Sequence, residues 1–217
     1  MIRRQMALIV GIAWTLITLA LFIRLAAALS SDSIQNFDAA IRLDIHQWAS
    51  PPLTSLAQGI TVLGSVRFIG MAFVIAIAGC LKVGWQQSAV TLTWTMAGAI
   101  VLDNAIKYSF HRARPEPFFG IEPDTYSFPS GHAMFALCFY CTLANVFAER
   151  LRSRFARAAI WTVAALLVAA IGLSRIYLGV HYPTDVLGGY LAAAFWLGAV
   201  ASIKSLRSMS NPNFPRL

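Results

Sequence analysis

Charged side chains are scarce in this sequence: only 12% of its 217 residues are Asp, Glu, Lys or Arg, whereas 58% are hydrophobic. A soluble domain usually carries about 25% charged residues. This shortage excludes an ordinary water-soluble protein and predicts a single integral membrane domain spanning residues 1–217. The net charge of +8 does not indicate a nucleic-acid partner, because most of the excess lies in short loops between apolar runs.

Cysteine and clustered acids are also scarce. Only three cysteines are present, and the C-x-x-C pair of Cys138 and Cys141 lies in an apolar run with no second pair and no adjacent histidine. Zinc and redox motifs need more than this, so we interpret the pair as small residues packed in a membrane helix. No group of carboxylates resembles a magnesium or two-metal site. We therefore expect neither a metal ion nor another cofactor.

No segment alternates as a β-strand does, whereas six segments approach the roughly 20 apolar residues that a membrane-spanning helix needs. Backbone polar groups in lipid must be paired within the segment, which favours helices. The sequence therefore predicts an all-α, polytopic membrane protein with six transmembrane helices. The predicted spans are residues 6–29, 56–81, 88–109, 130–148, 158–176 and 185–204.

The first span raises the question of a signal peptide. Arg3 and Arg4 precede it, and Ala26-Ala27-Ala28 near its end resembles a cleavage site. Its apolar run is longer than the core of a typical signal peptide. We therefore predict an uncleaved first transmembrane helix.

An interfacial amphipathic helix is predicted at residues 33–49, before Pro51-Pro52. Its polar residues, including Asp38 and Arg42, lie mostly off the apolar face. This pattern is typical of a helix on the outer membrane surface, although a helix packed against the bundle would also fit it. The apolar face consists of Ile34, Phe37, Ile41, Ile45 and Trp48.

Basic residues are unevenly divided between the two sides of the membrane. With six spans, the termini and the loops 82–87 and 149–157 share one side, whose only acid is Glu149. The positive-inside rule makes this side cytoplasmic. The opposite side, which contains nearly all the acids, faces the periplasm or exterior. It comprises the loops 30–55, 110–129 and 177–184.

The end of the third span contains the first polar stretch of interest. Asp103 and Lys107 are ionisable residues within or close to lipid, where they are costly and often functional. Their four-residue spacing lets them neutralise each other, which would be a structural role. That pairing does not explain Arg114, which lies seven residues after Lys107 and directly before a proline. Arg112 receives no role from the sequence.

A second stretch, Pro129-Ser130-Gly131-His132, opens the fourth span. The first N–H groups of a helix lack internal partners and attract anions. Gly131 permits a close backbone approach, and the Ser130 hydroxyl adds a donor. A lone histidine such as His132 would often be only an interface residue, but nearby cations favour a functional one.

The third stretch runs from Ser174 to Asp185. His181 precedes Asp185 by four residues, and a carboxylate at that distance can fix the imidazole tautomer and leave the other nitrogen free to attack. Arg175 offers a planar set of donors suited to phosphate oxygens. Alone, this stretch could be a polar loop with one satisfied histidine. Together, the three stretches predict a phosphate site.

These three stretches resemble the three-part signature of the type 2 phosphatidic acid phosphatase superfamily, and each part is complete with the family spacing. The size and six-span layout resemble the bacterial phosphatidylglycerophosphatase B type over nearly the whole chain. The resemblance implies a lipid phosphatase of the bacterial cytoplasmic (inner) membrane, with phosphatidylglycerophosphate, phosphatidic acid or undecaprenyl diphosphate as substrate. The matching residues are Lys107, Arg114-Pro115, Pro129-Ser130-Gly131-His132, Ser174-Arg175, His181 and Asp185.

The resemblance also implies a role for each site residue. His181 would form a phosphohistidine, Asp185 would orient it, and His132 would protonate the leaving oxygen. Cations and a helix N-terminus can stabilise phosphoryl transfer without a metal. The phosphoryl oxygens would be held by Lys107, Arg114, Ser130, Gly131 and Arg175.

Three other functions use the same residues less completely. An intramembrane serine hydrolase, with Ser130 attacking and His181 as its base, leaves the cations unexplained. Haem ligation by His132 and His181 leaves the same cations unused. A transporter would have polar residues near the middle of the bilayer, whereas these lie towards one face.

Overall fold

The computed structural model describes residues 2–120 and 125–210, and within this part every regular element is a helix. The observed architecture confirms the predicted all-α class. The eight helices are α1 (Ile2–Ala28), α2 (Asp32–His46), α3 (Pro51–Val62), α4 (Val66–Lys82), α5 (Gln86–Phe110), α6 (Gly131–Ala148), α7 (Arg154–Tyr177) and α8 (Pro183–Ser210).

Five helices, α1, α5, α6, α7 and α8, are each long and apolar enough to cross a membrane. They correspond to five of the six predicted spans. Helix α6 packs against α5, α7 and α8, and α1 packs along α8. The core of this bundle includes the fully buried Leu92, Met134 and Ala193. Cys138 is also fully buried there, as expected for a packing residue.

The remaining predicted span, residues 56–81, is not one continuous helix. Helices α3 and α4 together are apolar enough to cross a membrane, but they are bent by 45° where they meet. The hydroxyl of Ser65 accepts the Phe68 N–H at 3.2 Å and so starts a new helix, as a serine N-cap does. The apolar residues correctly predicted a span here. The Ser65 cap and the packing at the break divide that span into two helices.

The break between α3 and α4 lies against the centre of the bundle. Tyr140 donates its hydroxyl hydrogen to the Leu63 carbonyl oxygen at 2.8 Å. A Cβ added at Gly64 would come within 2.5 Å of Ile171 and 3.2 Å of the His132 ring. Only a residue without a side chain therefore fits here without displacing its neighbours.

Helix α2 confirms the predicted helix in the segment before Pro51. The Ser31 hydroxyl accepts the Ile34 N–H at 3.4 Å and caps its start. The helix packs against α7 and α8, at the end of the bundle where the second and third polar stretches lie. Its apolar and polar residues are not separated as the sequence suggested: Phe37 is 51% exposed, whereas Asp38 is completely buried. Burial of Asp38 follows from its hydrogen-bond partners on α8 and beyond α5.

Candidate active site

The three polar stretches converge at one end of the bundle, where α5 and α7 end and α6 and α8 begin. Lys107, Arg114, Arg175 and His181 all lie close enough to His132 for their charges to act on it. The structure therefore brings all the predicted site residues together. They are Lys107, Arg114, Ser130, Gly131, His132, Arg175, His181 and Asp185.

His181 lies in the turn between α7 and α8 and is only 2% exposed. Arg114 Nη1 directs an N–H at His181 Nε2, and the two nitrogens are 3.1 Å apart. Because a guanidinium can only donate, Nε2 must carry a lone pair, and the ring hydrogen is on Nδ1. Nδ1 faces Asp185 Oδ2 at 3.4 Å, a contact slightly longer than an ordinary hydrogen bond. This is the tautomer that a nucleophilic Nε2 requires.

The protonation of His181 follows from its surroundings. The pKa of His181 is lowered to about 4, chiefly by burial; the charge of Arg114 acts in the same direction, while Asp185 acts in the opposite direction. Desolvation therefore prevails over the carboxylate. Near neutral pH the imidazole is uncharged and able to attack.

Asp185 is completely buried in the first turn of α8. Its Oδ2 accepts hydrogen bonds from the Ser127 hydroxyl and, at 2.8 Å, from the Tyr182 N–H. Its Oδ1 accepts one from Arg112 at 2.6 Å. With these three donors and His181 beside it, the carboxylate is fixed in one orientation.

The start of α6 forms the centre of the candidate phosphate site. Ser130 is the N-cap residue, and its hydroxyl oxygen is buried with no hydrogen-bond partner in the described part of the chain. A Cβ added at Gly131 would lie 3.2 Å from Lys107 Nζ, so glycine lets the lysine approach the helix N-terminus. Lys107 also forms an ion pair with Asp103 at 2.7 Å, as the sequence suggested.

Arg175, in the last turn of α7, is 7% exposed. Its Nη1 donates to the Thr61 hydroxyl on α3 at 2.7 Å, while its Nε is buried without a partner. No carboxylate within the two described ranges pairs with it. A buried guanidinium without a counter-ion is unfavourable, so the site favours an anion.

Arg114 connects two loops around the site. It donates to the Thr125 carbonyl oxygen at 2.6 Å and to the Val180 carbonyl oxygen at 2.8 Å, in addition to His181. These bonds hold the segment before α6 against the turn before α8. The guanidinium is thus placed beside the nitrogen that would attack.

Several residues of the site were missed by the sequence analysis. Ser127 and Thr61 hold predicted site residues, and Asp38 and Arg112 belong to the same polar cluster as Asp185. Hydroxyl residues are too common for their roles to be read from spacing. Asp38 was one of several polar residues in the predicted amphipathic helix, and its segment carries no signal that sets it apart.

Among residues 2–120 and 125–210, no three His, Cys, Asp or Glu side chains lie close enough together to bind a metal ion. The expectation that the reaction needs no metal stays a prediction.

A bundle of membrane-crossing helices, with two histidines, three cations and a helix N-terminus at one end, defines a membrane protein built to bind an anion. Residues 88–208, more than half of the chain, match the PAP2 superfamily. The chain belongs to the PAP2 superfamily, and it is an enzyme of the lipid phosphatase class, which confirms the resemblance seen in its three motifs.

Relatives support this membership over most of the chain. Phosphatidylglycerophosphatase B of Bacillus subtilis (strain 168) is 32% identical over 171 residues, which cover 78% of this chain and 84% of that protein. An undecaprenyl-diphosphatase of Sulfolobus acidocaldarius is 30% identical over 116 residues, or 51% of this chain and 52% of its own length. A crystal structure of a PAP2-type phosphatidylglycerolphosphate phosphatase from Bacillus subtilis superposes with a TM-score of 0.83 at 27% identity, covering 92% of this chain and 98% of the other.

Proposed function

We propose that this enzyme hydrolyses a lipid phosphomonoester or diphosphate through a phosphohistidine on His181, without a metal, at the periplasmic or exterior face of the bacterial inner membrane. The observation that carries the proposal is the Arg114 hydrogen bond, which leaves the Nε2 lone pair of His181 beside a cluster of cations. In the first step Nε2 attacks phosphorus, an N–P bond forms, and the P–O bond to the lipid breaks.

The phosphoryl group is held by the start of α6 and the cations around it. The N–H of Arg114 that now donates to Nε2 would turn to a phosphoryl oxygen. Arg175, Lys107 and the free Ser130 hydroxyl supply further donors, and preorganised donors of this kind stabilise the charge of the transition state. When the Arg114 N–H turns to the phosphoryl oxygen, the Nε2 lone pair becomes free to attack phosphorus. Substrate binding and activation of the nucleophile are therefore coupled.

His132 acts on the other side of the phosphorus. In the first step it donates a proton to the leaving oxygen of the lipid. In the second step it accepts a proton from water, which attacks the phosphohistidine, and inorganic phosphate leaves while His181 is restored. Asp185 stabilises the positive charge that His181 carries while phosphorylated.

An apolar groove supports a lipid rather than a soluble substrate. The groove encloses about 360 Å³ between α3 and α7, and its walls include Leu53, Leu56, Ala170 and Leu173. It extends to Ser174, the residue next to Arg175. An acyl or prenyl chain lying in the groove would therefore bring its phosphate to the cation cluster.

Filling the groove tests this assignment. Ala170→Trp should raise KM for a long-chain lipid phosphate about tenfold, with little change for p-nitrophenyl phosphate. Leu166→Trp, on the same helix but 66% exposed, is the matched control. Equal losses on both substrates for Ala170→Trp would contradict the groove as the lipid site.

The serine hydrolase alternative gains nothing from the geometry. Ser130 Oγ has no hydrogen-bond partner in the described residues, so no base is paired with it. His181 instead receives its hydrogen bond from Arg114.

The decisive experiment is phosphate release by the purified protein from phosphatidylglycerophosphate, phosphatidic acid and undecaprenyl diphosphate, each in excess EDTA. We expect at least one lipid to be turned over at an undiminished rate with the chelator. Loss of activity in EDTA and its recovery with magnesium would refute the metal-independent reaction.

Labelling of single cysteines tests the orientation. In a background without the native cysteines, an impermeant maleimide added to intact cells should label Glu116→Cys but not Arg152→Cys, because the two exposed positions lie at opposite ends of the bundle. The reverse pattern would place the site on the cytoplasmic side.

A further inference from the structure

Asp38 is an acidic residue on α2 that is completely buried, although it lies far from every motif in the sequence. Its Oδ1 accepts the Thr184 N–H at 3.0 Å, and its Oδ2 accepts the Thr184 hydroxyl at 2.5 Å. Oδ2 also accepts a hydrogen from Arg112 Nη2 at 2.8 Å. Both carboxylate oxygens are therefore directed at groups that adjoin Asp185.

Arg112 bridges two buried carboxylates. One terminal nitrogen, Nη2, donates to Asp38, and the other, Nη1, donates to Asp185 at 2.6 Å. Nη1 also reaches the Thr184 hydroxyl at 2.9 Å, and the guanidinium lies 4.3 Å from the centre of the Tyr182 ring. Its planar group is thus held from three directions.

This arrangement is costly if its purpose is only to dock α2. Burying a carboxylate carries a large desolvation penalty, and an apolar residue in the same place often stabilises a fold equally well. A second carboxylate does, however, change what Arg112 can do. With Asp38 present, only one side of the guanidinium is available to Asp185, so the arginine cannot make a two-fold pair with the catalytic carboxylate.

We propose that Asp38 is a positioning residue for catalysis, which acts through Arg112 and Thr184 to keep Asp185 directed at His181. Without the Asp38 charge, Arg112 turns fully to Asp185 and draws its carboxylate away from Nδ1 of the histidine. Asp185 then gives less support to the positive charge that His181 acquires on phosphorylation. The inference rests on the proposed function, and it assigns a part in the chemistry to a helix outside residues 88–208, the part that matches the family.

Asp38→Asn is the most direct test, because asparagine keeps the volume and an acceptor for Thr184 but cannot accept from Arg112 with its amide nitrogen. We expect kcat to fall about 10- to 100-fold, as loss of an orienting partner commonly causes. KM should change less than twofold, because Asp38 has no place in the phosphate site. The loss should be similar for lipid phosphate and p-nitrophenyl phosphate, since both depend on the same nucleophile.

Asp44→Asn is the matched control. Asp44 lies on the same helix and undergoes the same change of charge, but it is exposed. We expect its kcat to stay within twofold of the original protein. A kcat loss in Asp44→Asn as large as that in Asp38→Asn would overturn the proposal, because the effect would then come from net charge.

Arg112→Lys gives a second test, and the single variant does not depend on the folding of Asp38→Asn. Lysine keeps the positive charge but cannot donate to both carboxylates with a planar fork. Its kcat should fall by a similar factor, and adding Asp38→Asn to it should cause little further loss, because coupled residues are not additive. Multiplicative losses, or an unchanged kcat in Arg112→Lys, would overturn the inference.

Single-turnover formation of the phosphoenzyme separates this inference from the proposed function. The original protein should become phosphorylated on His181, and Asp38→Asn should do so more slowly by the same factor as kcat. Equal rates of labelling would overturn the role of Asp38 alone. Phosphate release by the original protein without labelling of His181 would overturn both.

Discussion

The two ends of the helical bundle treat their charged residues differently. At the site end, Asp38, Asp103, Arg175 and Asp185 are each at most 7% exposed. At the opposite end, Arg150 is exposed: it donates to the Ser88 hydroxyl at 2.8 Å and lies 3.8 Å from the centre of the Trp85 ring. These four charges of the site are withdrawn from water, whereas Arg150 remains in contact with it.

The difference separates charges that support chemistry from charges that support the fold. A buried charge interacts strongly with its neighbours but costs free energy to desolvate, so it is retained where a strong local field is useful. An exposed charge is screened by water and contributes at most about 1 kcal/mol. Mutations at the site end should therefore affect rate more than stability, and those at the other end should do the reverse.

The largest effect is expected for His181→Ala. Loss of the nucleophile removes the covalent route for every substrate, so neither lipid phosphate nor p-nitrophenyl phosphate should be hydrolysed above background. Steady-state phosphate release measures this. Substantial activity on either substrate would show that His181 is not the nucleophile.

His132→Ala should follow, with a loss that depends on the leaving group. A general acid typically contributes a factor of about 10²–10⁴, but p-nitrophenolate leaves without a proton. Activity on lipid phosphate should therefore fall more than activity on p-nitrophenyl phosphate.

The same variant should accumulate an acid-labile, alkali-stable phosphoenzyme on His181, because water lacks its base. Mass spectrometry without acid, on the peptide containing the histidine, detects it. Phosphate found on His132 in the His181→Ala protein would show the two roles to be reversed.

Arg175→Gln should lower kcat by about 10²–10³, the cost typical of removing one donor from a developing anion. Thr61→Val, which removes only the hydroxyl that holds this arginine, serves as a graded control with a smaller loss. Comparable losses in the two variants would mean that the position of the guanidinium matters more than its charge.

Acid should destabilise the site end through His181. Its folded pKa of about 4 lies below the unfolded value of about 6.5, so burial favours the neutral form. The stability that depends on this group is complete above pH 6.5 and is lost as the pH falls towards 4. Between pH 7 and pH 4.5, the melting temperature of His181→Gln should therefore fall less than that of the original protein. Identical shifts would mean that the histidine is not buried as a neutral group.

The smallest effect on rate is expected at the opposite end. Arg150→Ala removes the hydrogen bond to Ser88 and the contact with Trp85, together worth about 1 kcal/mol. The melting temperature should drop by roughly 2–4 °C, while kcat stays within twofold. A tenfold loss of kcat without a change in melting temperature would remove the distinction between the two ends.

How much could be predicted from the sequence differs between the site and its surroundings. Each catalytic motif is a short stretch in which spacing sets position: Asp185 follows His181 by four residues and lies in the first turn of α8, and Ser130 occupies the N-cap position of α6. The six spans follow from apolar length alone. These features depend on local sequence, so they could be predicted.

The features that were missed depend on contacts between distant residues. Asp38 is buried because Thr184, 146 residues later, supplies its donors. The break between α3 and α4 also depends on Tyr140, 77 residues from the carbonyl oxygen that it binds. Asp38 could not be singled out among the polar residues of its amphipathic segment, and the break could not be recognised in a stretch that was predicted to be one apolar span.

The burial of Asp38 also sets an order for the assembly of the protein in the cell. Arg112 lies 74 residues after Asp38 in the chain, and Thr184 lies 146 residues after it. Both partners of Asp38 are therefore still missing when α2 leaves the ribosome. At about 5–20 residues per second, the wait for Thr184 is on the order of ten seconds. Until then the carboxylate is better placed in water than against the bundle. Helix α2 should therefore dock last, and the enzyme becomes competent only after its final transmembrane helix has entered the membrane.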